Sequence, residues 1–250
     1  MNYKLNGVFC IIVFFIALSK ADLVPLPDYI QTCHKSDPDF TKCFLEAVET
    51  LRPKIASGMP ELDLPPFEPL DLGDLIISKK EETGIDITVR HLNVYNATKF
   101  KVANFQNKNY VERLNFELTL PVFSIDGTYK LDGRILALPL QGEGHVAGDF
   151  ENIKVKVKMI IETVKRDDKE YFRFKQINIK AKMGTGKIHF DNLFNGNKEL
   201  GEAINESINE NIVAMANEIL PSAERALENK FLEIGNQIFK TYTTEQLLPN

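Results

Sequence analysis

The stretch whose reading decides the fold is Leu200 to Ile238, LGEAINESINENIVAMANEILPSAERALENKFLEIGNQI. Apolar residues recur at Leu200, Ile204, Ile208, Ile212, Met215, Ile219, Ala223, Leu227, Phe231, Ile234 and Ile238. Steps of three and four are the spacing of one helical face and not of a strand. Val213, Leu220, Leu232 and Phe239 broaden this stripe beyond a coiled-coil seam. The opposite face carries Asn205, Asn209, Glu224 and Glu228 and reads as solvent-facing. Pro221 predicts a kink or restart near Leu220. At ~1.5 Å per residue the run spans roughly 58 Å, against about 45 Å for a compact sphere of this chain's size. The helix must therefore bend, or the molecule must be elongated around it. A broad apolar stripe of that length needs an equally long cover.

The cover is legible upstream. From Leu75 to His189 the apolar period changes to two. Ile85, Ile87 and Val89 alternate with polar residues, as do Leu114, Phe116, Leu118 and Leu120, and then Tyr129, Leu131 and Ile135. Ile153 to Met159 and Tyr171 to Met183, joined around Asp167-Asp168, form the clearest hairpin, with one apolar and one charged face. The apolar set slips by one residue between Phe172-Phe174 and Ile177-Ile179, which predicts a bulge that bends the strand. The predicted class is α+β: a long, strongly curved antiparallel sheet wrapped around one long C-terminal helix, with a short N-terminal helix over Phe40 to Ile55. Asp39 or Thr41 caps that helix and Gly58 ends it. Between helix and sheet, four prolines in Met59 to Leu70 predict an extended, stiff connector.

Residues 1–21 read as a signal peptide: Lys4 gives a positive start, Val8 to Leu18 is a short apolar run, and Ser19-Lys20-Ala21 is a cleavage site. Cleavage after Ala21 leaves residues 22–250 as a single secreted domain, with no transmembrane segment and no membrane insertion. Loss of Lys4 and Lys20 takes the net charge from −5 to −7, a poor balance for nucleic acid or an anionic membrane. Cys33 and Cys43 are the two cysteines left, and in an oxidising compartment they read as one disulfide. A metal site would need His34 and a fourth ligand that the sequence does not supply. Asn96-Ala97-Thr98 and Asn205-Glu206-Ser207 are glycosylation sequons.

Catalytic and cofactor motifs fail on inspection. Gly142-Glu143-Gly144 lacks the βαβ surroundings of a dinucleotide site and reads as turn or bulge glycines. Gly184-Thr185-Gly186-Lys187 is followed by Ile188 rather than Ser or Thr, so it is no phosphate loop. The four histidines are scattered and none has a metal-ligand spacing partner. Ser124 has no nucleophile elbow. The predicted protein is not an enzyme and carries neither cofactor nor metal. Lys154, Lys156 and Lys158 read as a solvated strand face that discourages edge pairing.

Several segments, in order along nearly the whole mature chain, resemble the takeout and juvenile hormone-binding protein family of insects. They are the early cysteine pair behind a signal peptide, Gly58-Met-Pro-Glu-Leu-Asp-Leu-Pro-Pro-Phe-Glu-Pro-Leu70, and His189-Phe190-Asp-Asn-Leu-Phe-Asn-Gly-Asn-Lys-Glu-Leu-Gly201. Ile204-Asn205 and Asn209-Glu210-Asn211 follow. The resemblance implies a fold like the tubular lipid-binding superfamily, with a tunnel for a juvenile hormone, another terpenoid, a fatty acid or another lipid. One early disulfide is more similar to takeout proteins than to the haemolymph hormone carriers, which have a second. Ile212 stands where the family often has Trp, which bears on ligand preference.

The expected function is a secreted, monomeric, non-catalytic carrier of one small hydrophobic ligand. The expected lining is Phe116, Leu118, Phe123, Ile125, Leu131, Val155, Val157, Met159, Phe174, Ile177, Ile208, Ile212 and Met215, with Tyr129 and Thr119 as polar groups inside. The alternative is a secreted interaction protein of the takeout type, in feeding, circadian or chemosensory roles, acting through a surface partner over a solid core.

Overall fold

The computed structural model describes residues 23–78, 84–136 and 138–250. The signal peptide and its cleavage after Ala21 lie outside them. Helix α1 is Phe40–Ser57. The strands are β1 Leu70–Asp71, β2 Leu75–Ser78, β3 Asp86–Tyr95, β4 Lys101–Lys108, β5 Arg113–Ile135, β6 Leu138–Arg166, β7 Lys169–Lys182 and β8 Thr185–Phe190. Helices α2 Lys198–Glu210, α3 Ile212–Ile238 and α4 Thr244–Leu247 close the chain.

Strand length sets the architecture. β5 has 23 residues and β6 has 29, so at ~3.3 Å per residue β6 runs roughly 95 Å along its contour. The 27 residues of α3 span only about 40 Å. A flat ribbon of that length would leave most of its apolar face bare, so it bends around the helix. β5 pairs with β6 from Arg113↔Ile160 to Ile135↔Leu138 without a register shift. The buried set nevertheless changes parity once. Leu114, Phe116, Leu118 and Leu120 lie opposite Met159, Val157, Val155 and Ile153, whereas beyond Pro121 and Asn152 the buried residues are Tyr129, Leu131 and Ile135. Asn152 adopts a left-handed φ of 56°, and a non-alternating residue on each strand turns the ribbon without breaking its pairing. The bulge expected in the next strand is present: Ile160 pairs with Gln176 and Ile161 with Phe174, leaving Lys175 extra. All pairs are antiparallel, in the order β1-β3-β5-β6-β7, with β2 beside β3, β4 beside β5 and β8 beside β6.

The helical stripe is sheathed along its length. Ile204, Ile208 and Met215 are buried in an upper cluster with Tyr129, Leu131, Val146 and Leu193. Leu227, Phe231 and Leu232 pack on a lower cluster centred on Val157, Ile177 and Ile179. Ile234 and Ile238 reach a third around Met59, Leu62, Leu64 and Tyr242. The break in the rod is not at Pro221, which lies within α3, but at Asn211, where φ is −113°. There the Asn211 N–H donates to Ile208 O at 3.2 Å, and its side-chain amide donates to Ser207 O at 2.9 Å. These bonds satisfy two carbonyls at the end of α2 and separate the two helices. Leu200 and Val213, assigned to the stripe by spacing, are exposed.

Two further expectations are corrected. The proline-rich segment is no extended connector. Gly58 (φ 85°) and Asp63 (φ 52°) turn the chain, a 3-10 turn forms over Pro60–Leu62, and Leu62 and Leu64 bury against Tyr242. Helix α1 ends at Gly58 as expected, but Asp39 makes no capping bond; the Asp39 N–H donates instead to Asp37 Oδ1 at 2.8 Å. The Cys33–Cys43 disulfide is formed, with Cα atoms 6.0 Å apart. His34 is occupied at the C-terminal tail, its Nδ1 3.1 Å from Asn250 O.

Candidate ligand-binding interior

The expected lining residues do not form one wall. Tyr129, Leu131, Ile208 and Met215 are buried in the upper cluster, with Ile212 packed against it. Phe116, Leu118, Val155, Val157, Met159, Phe174 and Ile177 form the lower cluster with Leu227, Phe231 and Leu232 of α3. Phe123 and Ile125 belong to neither; Phe123 stacks on Phe150 with centroids 5.1 Å apart. The two halves differ in closure. The upper cluster has a broad set of buried members. In the lower one only Val157, Ile177 and Ile179 are buried, while Phe116, Leu118, Val155 and Met159 keep accessible surface although they sit on the helix-facing side. Leu227, Phe231 and Leu232 supply the helical side; their period placed them on the stripe, but the lining expectation stopped at Met215.

Phe174 has a second role. A Cβ on Gly235 would meet its ring at 2.4 Å, the ring stacks on Phe239 at 4.8 Å, and the Asn236 side chain holds its backbone N–H at 2.8 Å. Gly235 therefore lets α3 and β7 approach closely around this ring. Phe174 is a wedge between helix and sheet as well as a wall.

The polar expectations fare differently. Tyr129 is buried, and its hydroxyl donates to Asp191 O at 2.6 Å. Burial first, and the Asp191 carboxylate second, push its pKa up to about 12. Gly142 and Gly144 are explained by the same contact. A Cβ on Gly142 would lie 2.7 Å from the Tyr129 hydroxyl, and one on Gly144 2.6 Å from Asp191 O. They are close-approach glycines over which residues 191–193 cross β6, not turn points. Thr119 does not face inward: it pairs with Lys101 and Lys154, one residue out of phase with Leu118 and Leu120.

The helix face assigned to solvent is also corrected at particular residues. Asn205 is buried, accepting from Phe190 N–H at 2.9 Å and donating to Phe190 O at 3.0 Å. Asn209 does the same for Ile188, at 2.8 and 2.9 Å. Glu228 accepts from Ile179 N–H at 2.7 Å, and buried Glu224 from Ala181 N–H at 2.8 Å. These side chains occupy backbone groups on the outer edges of β7 and β8, which no described strand pairs. Asn96, the other sequon residue, is half-buried with a left-handed φ of 62°.

Outside the interior, a half-open cleft of about 380 Å³ is lined by Arg90, Thr128, Tyr129, Lys130, Glu143 and Gly144; its charged rim does not suit an apolar molecule. Two of the histidines, scattered in sequence, meet at Asp191: His189 Nε2 lies 3.1 Å and His145 Nδ1 3.7 Å from its carboxylate, with Asp126 2.7 Å from His145 Nε2. Among the described residues no His, Cys, Asp or Glu cluster is arranged to hold a metal, and no described helix is long and apolar enough to cross a membrane.

Against known proteins, residues 8–249 match the family model described as haemolymph juvenile hormone binding protein. The circadian clock-controlled protein daywake of Drosophila melanogaster is 26% identical over 222 residues, covering 85% of this chain and 84% of the relative. Daywake of Drosophila yakuba is 25% identical over 202 residues, 77% of each chain. The crystal structure of Epiphyas postvittana Takeout 1 superposes with a TM-score of 0.76 at 20% identity, over 88% of this chain and all of that one. Family model and fold agree over nearly the whole chain, and the protein belongs to the haemolymph juvenile hormone binding protein family.

Proposed function

We propose that the protein is a secreted carrier that holds one small hydrophobic molecule between the lower half of its sheet and α3. The observation that carries this reading is the accessible apolar surface of Phe116, Leu118, Val155 and Met159, on the side of the sheet that faces Leu227, Phe231 and Leu232. Burial of such surface by cargo is worth about 25 cal/mol per Å². Phe116, Leu118, Val155, Met159 and the facing helix residues are apolar, so burial drives binding and selection is on length and shape. A juvenile hormone-like terpenoid, a fatty acid or another slender lipid meets that description. The family's description supports both an apolar ligand and an extracellular setting, and the signal-peptide pattern of residues 1–21 agrees with the latter. No catalytic constellation enters this reading.

Native mass spectrometry tests it. The secreted protein, extracted with organic solvent and then offered palmitate, farnesol and a juvenile hormone analogue in turn, gains one ligand mass per chain with at least one of them. A chain that stays empty against all three, while folded, would instead be an interaction protein acting through its surface.

A further inference from the structure

The outward face of the sheet's centre is a block of polar side chains in register across three strands. Asn115, Lys158 and Asn178 form one row, Glu117, Lys156 and Lys180 the next, and Thr119, Lys154 and Lys182 the third, with Lys101 of β4 beyond Thr119. The lysines are all exposed. Lys154 stands directly opposite Lys182, and Lys156 opposite Lys180. Like charges in directly opposed positions destabilise a sheet. Lys156 pairs with Glu117 at 3.4 Å and Lys180 with Glu224 at 2.7 Å, but no carboxylate is in ion-pair contact with Lys154, Lys158 or Lys182 among the described residues.

Edge protection does not account for this face. β6 is an interior strand, paired with β5 on one side and with β7 and β8 on the other, so its lysines guard no edge. The free edges of β7 and β8 are met by Asn205, Asn209, Glu224 and Glu228. The overall net charge of −5 conceals the local excess of cations, and the local field decides what approaches this face.

We propose that this face adsorbs to an anionic phospholipid surface. Three features select a membrane over a protein partner. The side chains among the lysines are polar apart from the small Ala103 opposite Glu117, and the larger apolar residues Val122 and Ile160 stand only at the ends of the block, whereas protein interfaces take their energy from large apolar anchors and are depleted in lysine. Within these three rows the cations are lysines, with Arg113 one row beyond opposite Ile160; lysines are point charges suited to diffuse attraction rather than bidentate recognition of one phosphate. The lysines also occupy neighbouring rows of one sheet face, so several can approach one charged plane together. Adsorption leaves the helix-facing side of the sheet untouched and does not depend on the cargo.

The experiment is co-sedimentation of the secreted protein with vesicles of mixed phosphatidylcholine and phosphatidylserine, and with vesicles of phosphatidylcholine alone. Binding is expected to the mixed vesicles only, and to disappear when salt is raised from about 0.05 M to about 0.5 M. Each lysine near an anionic surface strengthens adsorption about fivefold. The triple variant Lys154→Gln, Lys158→Gln, Lys182→Gln should therefore bind about a hundredfold more weakly. Its melting temperature should be unchanged or higher, because the repulsion between Lys154 and Lys182 is gone. Equal binding to both vesicle types overturns the proposal, as does a triple variant that adsorbs like the wild type. Retention on heparin or polyglutamate without vesicle binding assigns the face to an acidic polymer and overturns it too. Vesicle binding is read on the protein itself, so an empty interior in the mass-spectrometric test leaves this outcome distinct.

Discussion

A side chain that lies along the free edge of a sheet has backbone groups to satisfy, and that changes what an asparagine there can do. Asn205 illustrates it: both amide atoms are bonded to Phe190, at 2.9 and 3.0 Å, and the residue is only 6% exposed. A glycan on that nitrogen would remove a donor and demand space the fold does not have. The expected outcome is glycosylation at Asn96 alone. In protein expressed through a secretory pathway, Asn96→Gln should lower the mass by one glycan, whereas Ser207→Ala, which abolishes the second sequon and leaves Asn205 in place, should remove no glycan. Tyr129 carries a pH prediction. Tyrosine ordinarily titrates near 10, and burial raises this one to about 12. The unfolded chain thus gives up the proton first, so the contribution is whole below pH 10 and is lost as pH rises from about 10 to 12. Tyr29 and Tyr242 are also raised, both mainly by burial, and add to the same fall. Denaturation midpoints followed across that window should decline less steeply in Tyr129→Phe than in the wild type. Neither residue's role was legible from the chain. Periodicity gives a residue's angle on its own element, and the partner that changes its chemistry sits on another.

At the scale of elements, period and length carried most of the information. The helical stripe, the alternating strands, the Asp167-Asp168 hairpin and the bulge at Lys175 all follow from local patterns, because a sheet must turn its apolar positions toward the helix. What failed was the identity of the break and of the polar seam. Pro221 lies inside α3, while the interruption falls at Asn211, whose amide bonds back to Ser207. Single-residue propensity ranks proline as the stronger breaker and so points to the wrong position, whereas the break is marked by Asn211 bonding back to Ile208 and Ser207. The seam itself is testable. The N–H groups of Ile188, Phe190, Ile179 and Ala181 lie on strand edges that no described strand pairs, yet each donates to a helix side chain at 2.7–2.9 Å. Hydrogen exchange should find them protected. Asn209→Ala leaves both the Ile188 N–H and C=O without that partner and should cost about 1–3 kcal/mol, with protection at Ile188 lost first. Protection at Ile188 that survives the substitution would mean another group covers this edge.

For the whole molecule, the decisive relation is between a ribbon of roughly 95 Å contour and a rod of about 40 Å. That mismatch was visible in outline as long one-faced strands beside a long apolar stripe. It could not be read from the sequence where the wrap is tight and where it is loose, because this depends on how side chains from distant segments interdigitate. In the upper half Leu193 and Val146 fill the space beside Ile204 and Ile208. In the lower half Leu118 and Val155 face the helix and remain accessible. A cavity and a loosely drawn core respond oppositely to added volume, and this separates them. Leu118→Trp places a larger side chain on the inner wall. If open space lies there, the indole enters it: the melting temperature holds, and affinity for a fluorescent fatty acid falls at least about tenfold as apolar contact area is taken from the ligand. If the half is solid, overpacking costs about 1–3 kcal/mol of stability and probe binding, having no cavity to lose, stays as it was. Measuring both quantities on the one variant decides whether the mismatch between ribbon and rod leaves room for cargo.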